Sequence, residues 1–183
     1  MSSPAGSTAT VRKTLRRFRR NRRGSAAVEF ALVAPVFFAL LFAIIETGIV
    51  FFAGQVLETV TQDSARMIMT GQAQTASYSQ SDFKTNVVCP KIIVLFDCTN
   101  GISVDVQSYS AFSSVSIADP VDSGKNFVAP NNYSPGGPGD IVVLRLFYQW
   151  PLIVTGLGYN ITNLTGSKRL LTATAAFRNE PYN

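Results

Sequence analysis

Hydrophobic side chains are concentrated in one early stretch of the chain. Residues 30–45 contain no charged side chain, Glu46-Thr47-Gly48 interrupts the run, and residues 49–53 resume it. From Phe30 to Ala53 this stretch is about 36 Å long as an α-helix, because each residue adds about 1.5 Å. A hydrocarbon core is roughly 30 Å thick, so the stretch crosses it with some tilt. The pattern therefore predicts one membrane-spanning helix.

Beyond Ala53 the apolar positions recur at helical spacing instead of running continuously. One face carries Val56, Leu57, Val60, Ser64, Met67 and Ile68. The opposite face carries Gln55, Glu58, Thr59, Gln62, Asp63 and Arg66. This periodicity predicts that the helix continues outside the membrane with one side against a protein core. Gly71 is of the residue type that ends helices, so we expect one helix over residues 25–72.

The C-terminal part alternates β-prone stretches with turn-forming residues. "ISVDVQSY" predicts a half-buried strand, whose two sides carry Ile102, Val104 and Val106 against Ser103, Asp105 and Gln107. "DIVVLRLFYQW", ended by Pro151, and "SKRLLTATAAFR" predict two more strands. Residues 118–139 contain four Pro and four Gly and predict a long surface loop.

These elements predict an α+β fold. Three or four antiparallel strands would pack on the long N-terminal helix, since each element must bury its apolar face. "SDFKTNVVC" predicts a short helix with Ser81 as its N-cap, and Tyr148 and Trp150 are expected in the core. The predicted organisation is a leader over 1–24, the helix over 25–72 and an exported domain over 73–183.

Charge is distributed unevenly and sets the predicted orientation. The net charge is +5, but residues 1–24 hold eight basic groups and no acid, whereas the remainder carries −3. A nucleic-acid-binding arm has a similar composition. Here an apolar helix follows at once, which favours a topology signal made of Arg16, Arg17, Arg19, Arg20, Arg22 and Arg23. The positive flank predicts a cytoplasmic N-terminus and an exported C-terminal domain, with no nucleic-acid partner.

A cleavable secretory signal and a twin-arginine export signal are alternative interpretations of the same region. An ordinary signal has an apolar core of about 7–15 residues followed by a small-residue cleavage site. The apolar stretch here is longer, and bulky residues continue past its end. The "RRFRR" sequence leaves the twin-arginine interpretation open.

Candidate catalytic chemistry is sparse. The chain has no His and two Cys, which removes most routes to a zinc site, a histidine base or a catalytic triad. Asp119, Asp122 and Asp140 flank the long loop, but their spacing matches no metal-binding loop. We therefore expect no enzyme activity, no metal and no cofactor.

The two cysteines, Cys89 and Cys98, are too far apart in sequence for C-x-x-C redox chemistry. In an exported domain they would lie in an oxidising compartment. A disulfide between them could contribute roughly 2–3 kcal/mol on the chain-entropy model. Two unpaired buried thiols are the alternative.

A carboxylate stands at the mouth of the predicted membrane helix. The sequence runs from the basic block through Gly24, Ser25 and three further residues to Glu29 and Phe30, and Pro35 lies in the first third of the helix. In a plain anchor, Glu29 would be a tolerated acid near the interface, because its cost falls away from the bilayer centre. The combination instead matches a prepilin, whose leader is cut after the glycine by a membrane aspartyl peptidase.

The N-terminal signature is specific enough to name a family. "RRGSAAVEFALVAPVFFALLFAIIETG" resembles the TadE-like minor pilins (pseudopilins) of the tight-adherence (Tad/Flp) pilus system. "DSARMIMTG", the cysteine pair and the ending "AAFRNEP" are also similar to family features. The resemblance implies a pilin-like fold, a scissile bond between Gly24 and Ser25, and Glu29 and Phe30 as recognition and assembly residues.

The resemblance also implies a function and a location. The expected function is that of a minor subunit, processed by a prepilin peptidase, in assembly of a Flp-type pilus for surface attachment and biofilm formation. Its expected partners are that peptidase, other pilins and minor pilins, an inner-membrane pilus assembly platform and the lipid bilayer. We expect a single pass through the bacterial inner membrane with the C-terminal domain in the periplasm. The alternative is an uncleaved anchor carrying a scaffold domain of a secretion complex.

Two departures restrict the assignment. Phe30 stands where the major pilins of this system usually have tyrosine, and the chain is far longer than those pilins. TadG-type relatives are larger and carry an additional domain. A TadE or TadF role fits best, and the sequence does not separate the two or assign a role to Glu46.

Overall fold

The computed structural model describes residues 24–92, 95–154 and 159–182. In chain order its elements are α1 (Ser25–Met69), α2 (Gln72–Thr75), α3 (Gln80–Phe83), a π-helical turn (Lys84–Val88), a 3-10 turn (Cys89–Lys91), α4 (Cys98–Gly101), β1 (Ile102–Tyr109), a second 3-10 turn (Phe112–Ser114), β2 (Ile141–Pro151) and β3 (Lys168–Arg178). The strands form one antiparallel sheet in the order β1-β2-β3. The predicted α+β class is confirmed, with three strands in the described part of the chain.

The chain divides into two compact units, Met1–Phe42 and Ala43–Asn183. The division falls inside α1, which is 45 residues long. In the first unit the described residues are Gly24 and the beginning of this helix. The sheet and the short helices all belong to the second unit.

The second half of α1 is amphipathic, as its spacing predicts. Leu57, Val60 and Ile68 are buried, while Gln62 and Asp63 on the opposite face are exposed. Buried positions of α1 share one hydrophobic core with residues of the sheet and of the π-helical turn. This apolar packing stabilises the helix beyond what its intrinsic propensity supplies.

The end of α1 is set by Gly71, also as predicted. Its φ of 76° lies in the left-handed region, which costs a glycine little because it has no Cβ. Its N–H donates to the Ile68 carbonyl at 3.0 Å. A Cβ at this position would collide with the ring of Tyr182. The C-terminal segment therefore packs directly against the helix stop.

The strands lie lengthwise along the second half of α1. At one end, beyond β2, the Ile153 N–H donates to the Glu46 carboxylate. At the other, the Glu180 N–H donates to the Met69 carbonyl at 2.9 Å. Residues 46–69 of a helix span about 35 Å, and the residues of β2 span about 33 Å. The matching lengths let the sheet cover this part of the helix from end to end.

The sheet is covered on its second face as well, and this overturns one prediction. Asp105 was expected on the polar side of β1, but it is completely buried. It pairs across the ladder with Arg145, whose Nη2 lies 2.8 Å from the Asp105 Oδ2. The long loop folds over the pair, with Asn132 Nδ2 donating to Asp105 and the Ala118 carbonyl accepting from Arg145. Both charges can be buried here because each faces its counter-ion and has further hydrogen-bond partners around it.

The same face carries a second, smaller apolar cluster. It contains Phe147, Leu164 and Leu170, with Val121 and Phe127 packed against it from the long loop. The rings of Phe127 and Phe147 lie 5.5 Å apart. The loop predicted over 118–139 is thus a surface segment that also contributes to a core.

The cysteines are joined, which confirms the predicted disulfide. Cys89 and Cys98 have their Cα atoms 5.6 Å apart, within the usual range for a bridge. The bond connects the first 3-10 turn to the start of α4. Nearby, Tyr148 and Trp150 are partly buried at the core's edge, where both rings approach Phe96.

The predicted N-cap of the short helix α3 was wrong by two residues. Ser79, not Ser81, is the cap: the Asp82 N–H donates to the Ser79 hydroxyl at 3.2 Å. The Ser79 N–H donates in return to the Asp82 carboxylate at 3.1 Å. The reciprocal arrangement requires an acid or amide three residues after the cap. Ser79 has Asp82 at that distance, and Ser81 lies inside the helix instead.

Candidate functional site

The predicted processing segment forms the accessible first turns of α1. Gly24 and Ser25 are exposed, as are Glu29 and Phe30, the latter at 67%. A Cβ built on Gly24 would meet nothing within 4 Å. No described residue therefore hinders access to the peptide bond between Gly24 and Ser25.

The helix brings Ser25 and Glu29 onto the same side. The Ser25 hydroxyl donates to a Glu29 carboxylate oxygen at 3.4 Å, because positions four apart are neighbours on a helix surface. The first N–H groups of a helix have no partner within it and carry partial positive charge. The arrangement places an exposed anionic acceptor one turn from the helix start. Such an acceptor suits a cationic donor.

Large apolar side chains stay exposed along the first half of α1. They are Val28, Phe30, Leu32, Val33, Val36, Phe37, Phe38, Leu40, Leu41 and Phe42. Among the described residues, α1 is the helix long and apolar enough to cross a membrane, judged by length and composition. An apolar surface of this extent is stable in lipid or against other apolar surfaces. This half of the helix is therefore suited to anchoring the protein in a membrane.

The predicted topology signal lies outside the described residues. It consists of Arg16, Arg17, Arg19, Arg20, Arg22 and Arg23. Their role therefore stays a prediction from the sequence.

Glu46 is a functional candidate to which the sequence gave no role. Its carboxylate accepts the backbone N–H groups of both Ile153 and Val154. The next residue, Thr47, donates to the Ala43 carbonyl at 2.7 Å and hydrogen-bonds to the Tyr159 hydroxyl. The sequence signal was the interruption of an apolar run by adjacent polar residues. Their partners, more than 100 residues further on, give no local signal.

A cleft with polar lining lies beside the edge strand β1. Its volume is about 370 Å³, and its lining residues are Gln80, Ser81, Lys84, Ile102, Ser103, Val104, Ala129, Pro130 and Asn131. Burial lowers the pKa of the Lys84 ammonium, which donates to the Thr99 carbonyl at 2.7 Å. The cleft therefore offers a cation, hydroxyls and amides rather than an acid–base pair. The residues that the structure describes include no group of three or more His, Cys, Asp or Glu placed to hold a metal ion.

The fold and the N-terminal segment define an α+β protein with a long apolar N-terminal helix, an accessible glycine–serine bond and a carboxylate one helical turn beyond it. Residues 24–66 match the family model described as TadE-like protein. The match starts at Gly24, includes Glu29 and Glu46, and covers about a quarter of the chain. It confirms that the N-terminal segment is similar to TadE-like proteins. Neither a curated protein nor a solved structure matches the chain.

Proposed function

We propose that this protein is a minor pilin-like subunit that a prepilin peptidase cuts between Gly24 and Ser25. The mature subunit acts in assembly of a Flp-type pilus for surface attachment and biofilm formation. Its partners are the peptidase, other pilins and minor pilins, and the inner-membrane assembly platform. It crosses the inner membrane once, with the N-terminus in the cytoplasm and the sheet domain in the periplasm. The observation that carries this proposal is the exposed Gly24–Ser25 bond with Glu29 one helical turn away.

Charge gives a physical reason for the cut. Each basic group next to an anionic leaflet contributes on the order of 1 kcal/mol of attraction. The eight basic groups of residues 1–24 would therefore hold α1 strongly at the cytoplasmic surface. Removing them lets the helix be drawn out of the bilayer into a fibre.

The cut also creates a partner for Glu29. Cleavage leaves Ser25 with a free α-amine, and Glu29 lies on the same side of the helix. In a bundle of such helices water is excluded, so an unpaired carboxylate is costly. The amine of a neighbouring subunit would satisfy it. Because the pair forms at one axial offset only, it would set the stagger between subunits.

Cleavage is tested by the intact mass and N-terminal sequence of membrane-extracted protein, with and without an active peptidase. We expect a chain that begins at Ser25 only when the peptidase is active. Gly24→Leu should block the cut, and Gly48→Leu is the matched control, because a Cβ at either glycine meets nothing within 4 Å. Protein that keeps its leader in both samples would refute processing and leave a permanent anchor.

The role of Glu29 is tested separately from cleavage. Glu29→Gln should be processed normally but should fail to enter pili, as measured by immunoblotting of sheared fibres. Glu58→Gln is the control, since Glu58 also lies on α1 and makes only a local bond with Gln62. Normal incorporation of Glu29→Gln would show that the carboxylate does not set the stagger.

A further inference from the structure

The second compact unit carries its own exposed apolar surface around Glu46. Its members are Ile44, Ile45, Ile49, Phe51, Phe52 and Ile153, which we call the apolar collar. Ile153 is 90% exposed, and Phe51 is 70% exposed. Five members lie on α1 and the sixth follows β2. Glu46, the charged residue among them, holds the Ile153 backbone against the helix.

Helix length argues that the membrane span continues past Glu46. From Phe30 to Ile45 the helix is about 23 Å long, which is too short for a hydrocarbon core of roughly 30 Å. Continued to Phe52, it is about 33 Å long and fits with modest tilt. After Phe52, the next exposed side chain on α1 is the polar Gln55.

The span could reach the same length by starting earlier, but it would then take Glu29 into the core instead of Glu46. The two carboxylates differ in their partners. Glu29 has one described contact, with Ser25 at 3.4 Å. Glu46 accepts two backbone N–H groups, those of Ile153 and Val154. A carboxylate leaves water at lower cost when it is hydrogen-bonded, so Glu46 is the better suited to lie in lipid.

The backbone beside Glu46 is also prepared for an apolar environment. An irregular segment enters lipid only if its N–H groups are satisfied internally. Glu46 accepts the consecutive N–H groups of Ile153 and Val154, and the hydroxyls of Thr47 and Tyr159 hydrogen-bond to each other. The Ile153 side chain can therefore project into lipid, because the backbone N–H of the same residue is already hydrogen-bonded to Glu46.

We propose that the apolar collar is embedded in the outer leaflet of the membrane, with Glu46 below the membrane surface as the clamp that lets the Ile153 segment leave water. The occupant of this surface is lipid, because the collar residues of α1 belong to the same apolar stretch of sequence as residues 30–45. The inference rests on the proposed function in one respect only: the proposed periplasmic location of the sheet domain is what makes the leaflet the outer one. Part of the second unit would thus lie in the bilayer.

Depth-dependent fluorescence quenching tests this proposal on the full chain in phosphatidylcholine vesicles. The single tryptophan is first removed by Trp150→Phe, and Ile153→Trp then places a probe in the collar. The control is Ile117→Trp, because Ile117 is also exposed. Ile117 also lies far from the collar. The carbonyl of its neighbour Ala118 accepts a hydrogen bond from Arg145, and Arg145 is about 20 Å from Pro151 along β2.

We expect lipids brominated near the headgroup end of their chains to remove most of the Ile153→Trp emission. Lipids brominated near the bilayer centre should remove less, and the Ile117→Trp emission should be unchanged by both. Adding Glu46→Ala should reduce the quenching of the collar probe, whereas Glu58→Ala should not. If brominated lipids do not quench the Ile153→Trp emission, the proposal is overturned. Quenching by acrylamide, which is dissolved in water, would then show that the collar faces water. No quenching by either agent would show that a second copy of the chain covers the collar. The measurement needs no cleavage, so a failure of the processing hypothesis would not affect it.

Discussion

The buried ion pair between Asp105 and Arg145 should be the most sensitive polar site of the second unit. The Arg145 Nε and Nη2 atoms donate to the same carboxylate oxygen at 2.9 Å and 2.8 Å. Asn132 and Gln107 donate to the carboxylate as well. Asp105→Ala would leave the guanidinium buried with one described acceptor, the Ala118 carbonyl. Removing one partner of a buried pair costs about 3–5 kcal/mol, so we expect a loss of stability of that size.

Denaturant unfolding of the detergent-solubilised chain, followed by the fluorescence of Trp150, measures this loss. Arg145→Ala alone should cost a similar amount, because it leaves the carboxylate without its counter-ion. The double variant should then cost much less than the sum of the two, since neither charge is left unpaired. Asp63→Ala is the control: Asp63 is exposed, and such surface changes stay within about 0.5 kcal/mol. Two single costs below about 1 kcal/mol, or strict additivity, would refute the reasoning.

Three further predictions concern local structure. Reducing the disulfide should lower the free energy of unfolding by about 2–3 kcal/mol, seen as an earlier denaturant midpoint. Ser79→Ala should cost about 1 kcal/mol, and Ser81→Ala, inside the helix, should cost less. Hydrogen bonds from Ser79 lower the pKa of Asp82 in the folded state, so their contribution is present above the unfolded carboxyl pKa and is lost as the pH falls through the folded value. The Ser79→Ala defect should therefore shrink in acid. Gly71→Ala should cost about 2 kcal/mol or more, from backbone strain and overpacking against Tyr182, measurable as a lower Tm.

Local signals predicted the helix and the strands well. The length of α1 follows from an apolar run and a helical period, and its end follows from Gly71, all of which act over a few residues. β2 was identified by a strongly β-prone run that Pro151 ends, and β3 was predicted as the last strand of the chain. The disulfide was predicted because an exported domain would lie in an oxidising compartment, with two free thiols as the alternative.

Two of the errors and omissions, those at Asp105 and Glu46, share a cause, which is dependence on distant partners. Asp105 occupies a position that alternation assigns to the polar side of a strand, yet Arg145, 40 residues away, and the long loop bury it. Glu46 had no role because the N–H groups that it accepts lie 107 and 108 residues further along the chain. The N-cap differed because two serines compete locally, and the acid at the right spacing decided between them.

The lengthwise alignment of the sheet with α1 has a mechanical consequence. Hydrogen bonds join the sheet region to α1 at both ends of the aligned segment. One runs from the Ile153 N–H to Glu46, and the other from the Glu180 N–H to the Met69 carbonyl. A pull along the axis of α1 would load the strands along their own direction. Ladder hydrogen bonds then share the load in shear, instead of breaking one after another as they do in a peeled hairpin. We therefore expect the sheet to resist unfolding when α1 is pulled along its axis.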